Sequence, residues 1–267
     1  MLSDTEESSR ASGTEPAAEP TAEPGDEPGA DAAISAVFRP VRAGNAFEET
    51  VERLLQVIKL GVVGHGERLP PERELAPRLG VSRVTLREAI RALQQEGYVE
   101  SRRGRAGGTF VIYRPPRPRR GDLARVAAGR GAQLTDALTY RMAVETGAAQ
   151  HLAATGLAPA QRARLRAALA AVDTANAADY RRLDTIFHLT IAELTGSELL
   201  SAACTDARMR VTDLLNAIPV LRRNIEHAAV QHAAIVDAIL ARDPEAARRA
   251  VAEHLEGTAA LLRGFLA

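Results

Sequence analysis

Gly80 and Ser82 lie almost side by side in "ERELAPRLGVSRVTLREAI", setting a helix stop directly against a helix start. Glycine takes the left-handed conformation that ends a helix without steric cost. Serine accepts a hydrogen bond from the free amides of the helix that follows. Pro71 and Glu72 open the first of the two helices, since proline suits a first turn and acids suit the positive helix end. The pattern predicts one helix running to Leu79 and another from Ser82 to about Gln95. Two helices of this length joined by so tight a turn form a helix-turn-helix.

The flanks extend that unit. Upstream, "AFEETVERLLQVIKLG" spaces Phe47, Val51, Leu54, Leu55 and Ile58 as one helical face, which Gly61 and Gly64 end. Downstream, "YVESRRGRAGGTFVI" offers two short strands, at Tyr98–Val99 and at Thr109–Ile112, around a glycine-rich turn, so the motif is of the winged kind. "YRPPRPRRG", with Pro115, Pro116 and Pro118, continues neither strand nor helix and reads as a linker.

Net charge is zero, with 34 basic and 34 acidic residues, but the average hides an uneven distribution. Residues 1 to 38 hold nine acids and Arg10 in a Glu-Pro-rich background that cannot support a core, so a disordered acidic tail is expected. Residues 82 to 120 hold ten arginines against Glu88, Glu96 and Glu100, a footprint of the kind that phosphates attract. The lone Cys204 excludes a disulfide within the chain and reads as a small buried residue. No stretch approaches the length of an apolar membrane span, and "MLSDTEESSR" lacks the basic-then-apolar order of a secretion signal. A soluble cytoplasmic protein without membrane contact is the expectation.

Beyond Asp122 there is no strand-like alternation, only helical periodicity broken by "TGLAP", "TANAADY", "TGSE", "AIPV" and "ARDPE". The expected fold is mainly α: an N-terminal winged helix-turn-helix and a C-terminal antiparallel all-helical bundle. Its divisions are a tail at 1–40, the winged domain at 41–113, a linker at 114–121 and the bundle at 122–267.

Several polar residues of the bundle stand on apolar stripes. Asp184 and His188 are four apart and share a helix face, with His188 beside Phe187 and Ile191. His232 precedes Ile235, Val236 and Ile239 at helical spacing, and His254 keeps company with Val251 and Leu261. One carboxylate and three imidazoles turned toward one core are costly without partners, and a bound divalent transition metal satisfies all four. Such ligands suit zinc or nickel, and manganese fits too. Separate hydrogen bonds in the core are the alternative. His151 and His227 have no such support. Arg141 shares a face with Leu138, Val144 and Ala148, and Glu145 could neutralise it.

The run "LPPERELAPRLGVSRVTLREAIRALQQEGYVESRRGRAGGTFV" resembles the DNA-binding domain of the GntR family of bacterial transcription regulators. "YRMAVETGAAQHLA", "DTIFHLTIAELTGSELL" and "HAAIVDAILARDPEAARRAVAEHL" resemble the FCD ligand-binding domain of that family's FadR-like branch. The resemblance implies a homodimer that grips a short palindromic operator in double-stranded DNA and changes its grip when a small metabolite enters the bundle. It implies base-edge or nearby phosphate contacts from Arg73, Arg83 and Arg87, hydroxyl contacts from Ser82 and Thr85, and a wing tip at Arg103 and Gly104 over the minor groove. It implies Asp184, His188, His232 and His254 as metal ligands, and Arg141 as a residue that holds an effector's carboxylate. Two other functions compete with this one. A metal-dependent hydrolase could use the Asp/His cluster, but no further acid or base stands near it and an enzyme has no need of the wing. A DNA-compacting protein would not need an inward polar cluster.

Overall fold

The computed structural model describes residue 38 and residues 46–104, 107–115 and 131–266. Apart from Phe38, Arg114 and Pro115, the expected tail and linker lie outside the described residues. Phe38 departs from the expectation for its segment: it is only 4% exposed and belongs to the main apolar core.

The winged domain forms as its punctuation dictates. Helix α1 spans Ala46–Lys59 and buries Leu54, Val57 and Ile58. Helix α2 spans Glu72–Leu79, and Gly80 ends it at φ 66°, ψ 27°, a left-handed turn that other residues enter only with strain. Helix α3 spans Arg83–Gln95, and the Ser82 hydroxyl accepts from the Thr85 amide at 3.0 Å. Leu86, Ala89, Ile90 and Leu93 form its buried stripe, packed with α1 and α2. Each such leucine contributes about 1.5–3 kcal/mol by leaving water.

Strands β1 (Val99–Arg102) and β2 (Gly108–Val111) pair antiparallel, from Val99 opposite Val111 to Arg102 opposite Gly108. β2 sits one residue from the position expected from the sequence, whereas β1 starts one residue later than expected and runs three residues further, to Arg102. The wing also pairs with a segment that the alternation pattern does not reveal. Leu69 N–H donates to Thr109 at 2.8 Å and Val111 N–H donates to Glu67 at 3.0 Å. Gly108 permits that approach: a Cβ there would stand 2.5 Å from the Arg68 Cδ.

The second domain is a bundle of α4 (Gly131–Thr155), α5 (Pro159–Asp173), α6 (Tyr180–Leu194), α7 (Glu198–Ala217), α8 (Arg222–Leu240) and α9 (Pro244–Leu266). Asp243 caps α9 as its sequence predicts, accepting from the Ala246 amide at 2.9 Å. Helix α4 packs against α7 and α9, α8 against α9, and α5 against α6. Helix α6 is the innermost, with every residue from Thr185 to Ala192 buried. A helix enclosed on all sides has no solvent face for a polar side chain, so His188 is committed to the interior.

The two domains touch. Lys59 stands 3.9 Å from Asp213 of α7, and Arg182 of α6 stands 3.8 Å from Glu67. The Arg182 side chain lies over Gly61 (φ 71°), where a Cβ would meet its Cγ at 3.0 Å. No helix among the described residues is long and apolar enough to cross a membrane.

Candidate metal centre and its cavity

Three helices bring four ligand-type side chains to one point. Asp184 and His188 come from α6, His232 from α8 and His254 from α9, and one donor atom of each lies within 4.8 Å of the others. The Asp184 Oδ1 is 3.3 Å from His232 Nε2, 3.8 Å from His254 Nε2 and 3.9 Å from His188 Nε2. Ligands held at ordinary distances from one tetrahedral or octahedral ion stand roughly 3.0–3.4 Å apart. The spacings in the cluster are slightly wider than those of such a shell.

Hydrogen bonding decides which nitrogen faces the centre. His188 Nδ1 lies 2.7 Å from a Glu145 carboxylate oxygen, which can only accept, so Nδ1 carries the proton and Nε2 keeps its lone pair. His254 Nδ1 is held in the same way by the Gln231 amide oxygen at 3.2 Å. None of the three inward Nε2 atoms has a hydrogen-bond partner. Two buried Nε2 lone pairs fixed by these bonds, with His232 Nε2 beside them and a carboxylate oxygen among them, fit a divalent transition metal. As separate core histidines, His188 and His254 would each keep one bond at Nδ1 and all three residues would leave a buried Nε2 unsatisfied.

The electrostatics point the same way. Burial, helped by the Arg208 charge, pushes the His188 imidazole down to about 4. Burial and its two histidine neighbours hold His254 well below the ordinary value. Burial works against ionisation of Asp184, but the Arg208 charge overcomes it and holds its carboxyl well below the usual range. A neutral His188 and a neutral His254 beside an ionised carboxylate are in the protonation states that metal binding requires.

Around this shell runs a buried ionic chain. The Arg141 Nε donates to Glu145 Oε1 at 2.8 Å. Arg208 donates from Nη1 to both Glu145 oxygens at 3.2 and 3.3 Å, and from Nη2 to Asp184 Oδ2. Burial opposes the Glu145 charge, but Arg141, Arg208 and His188 hold its carboxyl well below the usual range. Glu145 thus neutralises Arg141, as the spacing allowed, yet Arg141 Nη1 remains buried without a partner.

Arg208 and Gln231 are the residues the sequence reading missed. Arg208 had a signal: it stands on the buried stripe Cys204–Ala207–Val211–Leu214 of α7, where a cation has no reason to be unless something anionic meets it. Gln231 had none beyond its position beside His232. His151 and His227 are exposed, and His227 lines the cavity onto which Asp184 and His254 open.

Arg141, Asp184 and His254 open onto a cavity of about 950 Å³. Thr212, Asn216 and Thr258 add polar groups to its wall. Its other end is lined by Lys59, His65 and Tyr113 of the winged domain. One cavity therefore spans both domains.

The residues expected to meet DNA lie on the outer side of the winged domain. Arg83 and Arg87 are exposed, outside the buried stripe of α3. Arg87 donates to Glu72 at 2.7 Å and Arg73 to Glu74 at 3.2 Å. The Ser82 and Thr85 hydroxyls are bonded to each other at 2.8 Å. Arg103 is exposed beside Gly104, whose φ of 102° makes the wing's turn.

Known proteins share both halves. Residues 47–111 match the family model for bacterial regulatory proteins of the gntR family, and residues 136–257 match that for the FCD domain. The HTH-type transcriptional repressor NanR of Citrobacter rodentium is 32% identical over 240 residues, covering 83% of this chain and 87% of the relative. RmpR of Mycobacterium gastri is 46% identical over 81 residues, a match that spans only 30% of each chain. Among solved structures, Escherichia coli McbR/YncC aligns with a TM-score of 0.50 at 20% identity, covering 82% of this chain and 97% of that one, which is a likeness of fold.

Proposed function

The chain belongs to the GntR family of bacterial regulatory proteins and carries an FCD domain, and from that premise we propose an effector-responsive regulator of transcription that works as a homodimer. It binds a short palindromic operator and changes its DNA affinity when a small organic acid enters the bundle beside a divalent transition metal. A regulator of this family is not an enzyme, so the cluster serves binding rather than hydrolysis. The cytoplasm, where the DNA is, is its place of work.

The observation that carries the reading is the unpartnered Arg141 Nη1 in a cavity shared by the metal cluster and the winged domain. A guanidinium left with one free donor is a ready site for a carboxylate. Four protein ligands leave two positions open on a six-coordinate ion. An acid that reaches both satisfies the orphaned arginine and completes the metal's shell. At about 950 Å³ the cavity exceeds what such an acid fills alone, and its far wall is the DNA-binding domain, so an occupant bears on both domains at once.

In the DNA-binding half, Arg73, Arg83 and Arg87 meet base edges or neighbouring phosphates, with Ser82 and Thr85 adding hydroxyl contacts. Arg103 and Gly104 carry the wing over the minor groove. The test begins with selection of a duplex from a random pool by the metal-loaded full chain. A panel of organic acids is then screened by thermal shift and by displacement of that duplex. The reading expects at least one acid to raise the melting temperature and to alter duplex affinity in the same concentration range, with both effects lost in Arg141→Ala. A panel that stabilises the protein without touching DNA affinity would refute it.

A further inference from the structure

Val84 is 65% exposed on the first turn of α3. Among the described residues, it is the only large apolar side chain of α2 or α3 left in solvent to this degree. The core does not hold it there: Leu86, Ala89, Ile90 and Leu93 form the packed stripe, and Val84 projects from the other side. Local structure does not need it either, because capping is done by Ser82 and Thr85. A β-branched residue is a mediocre helix former, so an exposed valine in this turn costs a little and gains the isolated domain nothing.

Its neighbours say what it faces. Successive helix residues turn by roughly 100°, which puts Val84 about 60° round the helix from Arg87 and about 100° from Arg83, on an outward surface that it shares with Glu88. Both arginines are exposed there. The surface carries exposed Arg83, Arg87 and Arg91 against Glu88, with one apolar spot, and the first turns of a recognition helix are the ones that reach base edges. An isopropyl group neither donates nor accepts a hydrogen bond. The apolar feature that a base pair presents in the major groove is the C5 methyl of thymine.

We infer that Val84 is a specificity-determining residue that packs against a thymine methyl group in each operator half-site. The inference rests on the operator-binding function proposed above and adds a reading of sequence by an uncharged residue. Guanine recognition belongs to the arginines, whereas Val84 selects thymine at the neighbouring position.

The experiment uses the full chain and a duplex that it selects from a random pool. Each thymine of that duplex is replaced in turn by dU, which removes the methyl and leaves every hydrogen-bonding group in place. At one thymine per half-site, the replacement should weaken binding by the wild-type chain about fourfold, the worth of one buried methyl-sized group. With Val84→Ala that sensitivity should disappear, while sensitivity at the remaining thymines stays as it was. Thermal unfolding of Val84→Ala should match the wild type, since the side chain packs against nothing.

Identical dU profiles for the wild type and Val84→Ala overturn the inference, as does a selected half-site without thymine. A shift in oligomeric state on Val84→Ala would assign the valine to contact with a second copy of the chain and would equally overturn it. Failure of the wider reading looks different. If no duplex is enriched, or if Arg83→Ala enriches the same one equally well, operator recognition by this face falls and Val84 falls with it.

Discussion

Arg208 donates from Nη2 to Oδ2 of Asp184 at 2.5 Å, so the carboxylate's other oxygen is the one that faces the three imidazoles. The same guanidinium reaches both oxygens of Glu145. One buried cation thereby orients both Asp184 and the acid that orients His188.

Removal of Arg208 leaves two buried carboxylates repelling each other. Arg208→Ala is expected to cost about 3–5 kcal/mol of stability, the range for breaking a buried pair. Arg208→Lys keeps the charge but cannot span both acids, so it should recover only part of that loss. Denaturant unfolding of metal-free protein measures both. A loss below about 1 kcal/mol in the alanine variant would mean that the chain relaxes around the gap.

Metal content tests the ligand set directly. Protein purified without chelator should carry about one transition metal per chain, and its removal should lower the melting temperature, because the folded state alone binds it. His232→Ala combined with His254→Ala should abolish both the metal and its stabilising effect. Glu145→Gln keeps all four ligands but weakens the hold on His188 Nδ1, and should lower metal affinity about 10- to 100-fold. Elemental analysis that finds the same metal in parent and double variant would place the ion elsewhere.

Much of this was legible in the sequence, and the reason is periodicity. His188, His232 and His254 each stood on an apolar stripe, so their inward direction followed from helix geometry alone. Gly80 and Ser82 announced their turn because each fills a backbone role that few residues can fill. What periodicity does not carry is depth and partnership. Arg208 lay on a buried stripe, yet its partners come from α4 and α6, far away in sequence. The pairing of the wing with Glu67 and Leu69 was likewise invisible, since it is made by backbone atoms that have no side-chain signature. Phe38 could not be read at all, because one aromatic residue in an acidic stretch has no period.

On the DNA side, Arg83→Ala should weaken binding to the selected duplex by roughly 1–3 kcal/mol with no change in melting temperature, as suits an exposed reading residue. Arg87→Ala should cost less than Arg83→Ala, because Arg87 must first give up its bond to Glu72. Binding isotherms for both variants at several salt concentrations decide it. Equal and unchanged affinities would remove these residues from the interface.

Cys204 supplies a pH test that needs no ligand. Burial, with the Glu145 charge adding to it and Arg208 and Arg141 opposing, pushes its thiol up to about 12 from an ordinary value of 9.0. The folded state therefore keeps its proton when the unfolded chain has lost it. Below pH 9 both states hold the proton and nothing is lost; above it, stability falls by up to about 1.4 kcal/mol per pH unit relative to Cys204→Ala. At pH 8 a thiol reagent should label Cys204 only as fast as the chain unfolds. Rapid stoichiometric labelling of native protein would contradict its burial.

The single cavity bounded by Arg141 and His254 on one side and by Lys59, His65 and Tyr113 on the other has a thermodynamic corollary. A molecule that touches both domains cannot change the grip on DNA without DNA changing the grip on the molecule, and by the same factor. An acid that lowers operator affinity tenfold must itself bind tenfold more weakly to the operator-bound chain. A cell with many occupied operators would therefore hold two populations of this protein with different sensitivities to the same metabolite, and the copies on DNA would be the last to respond.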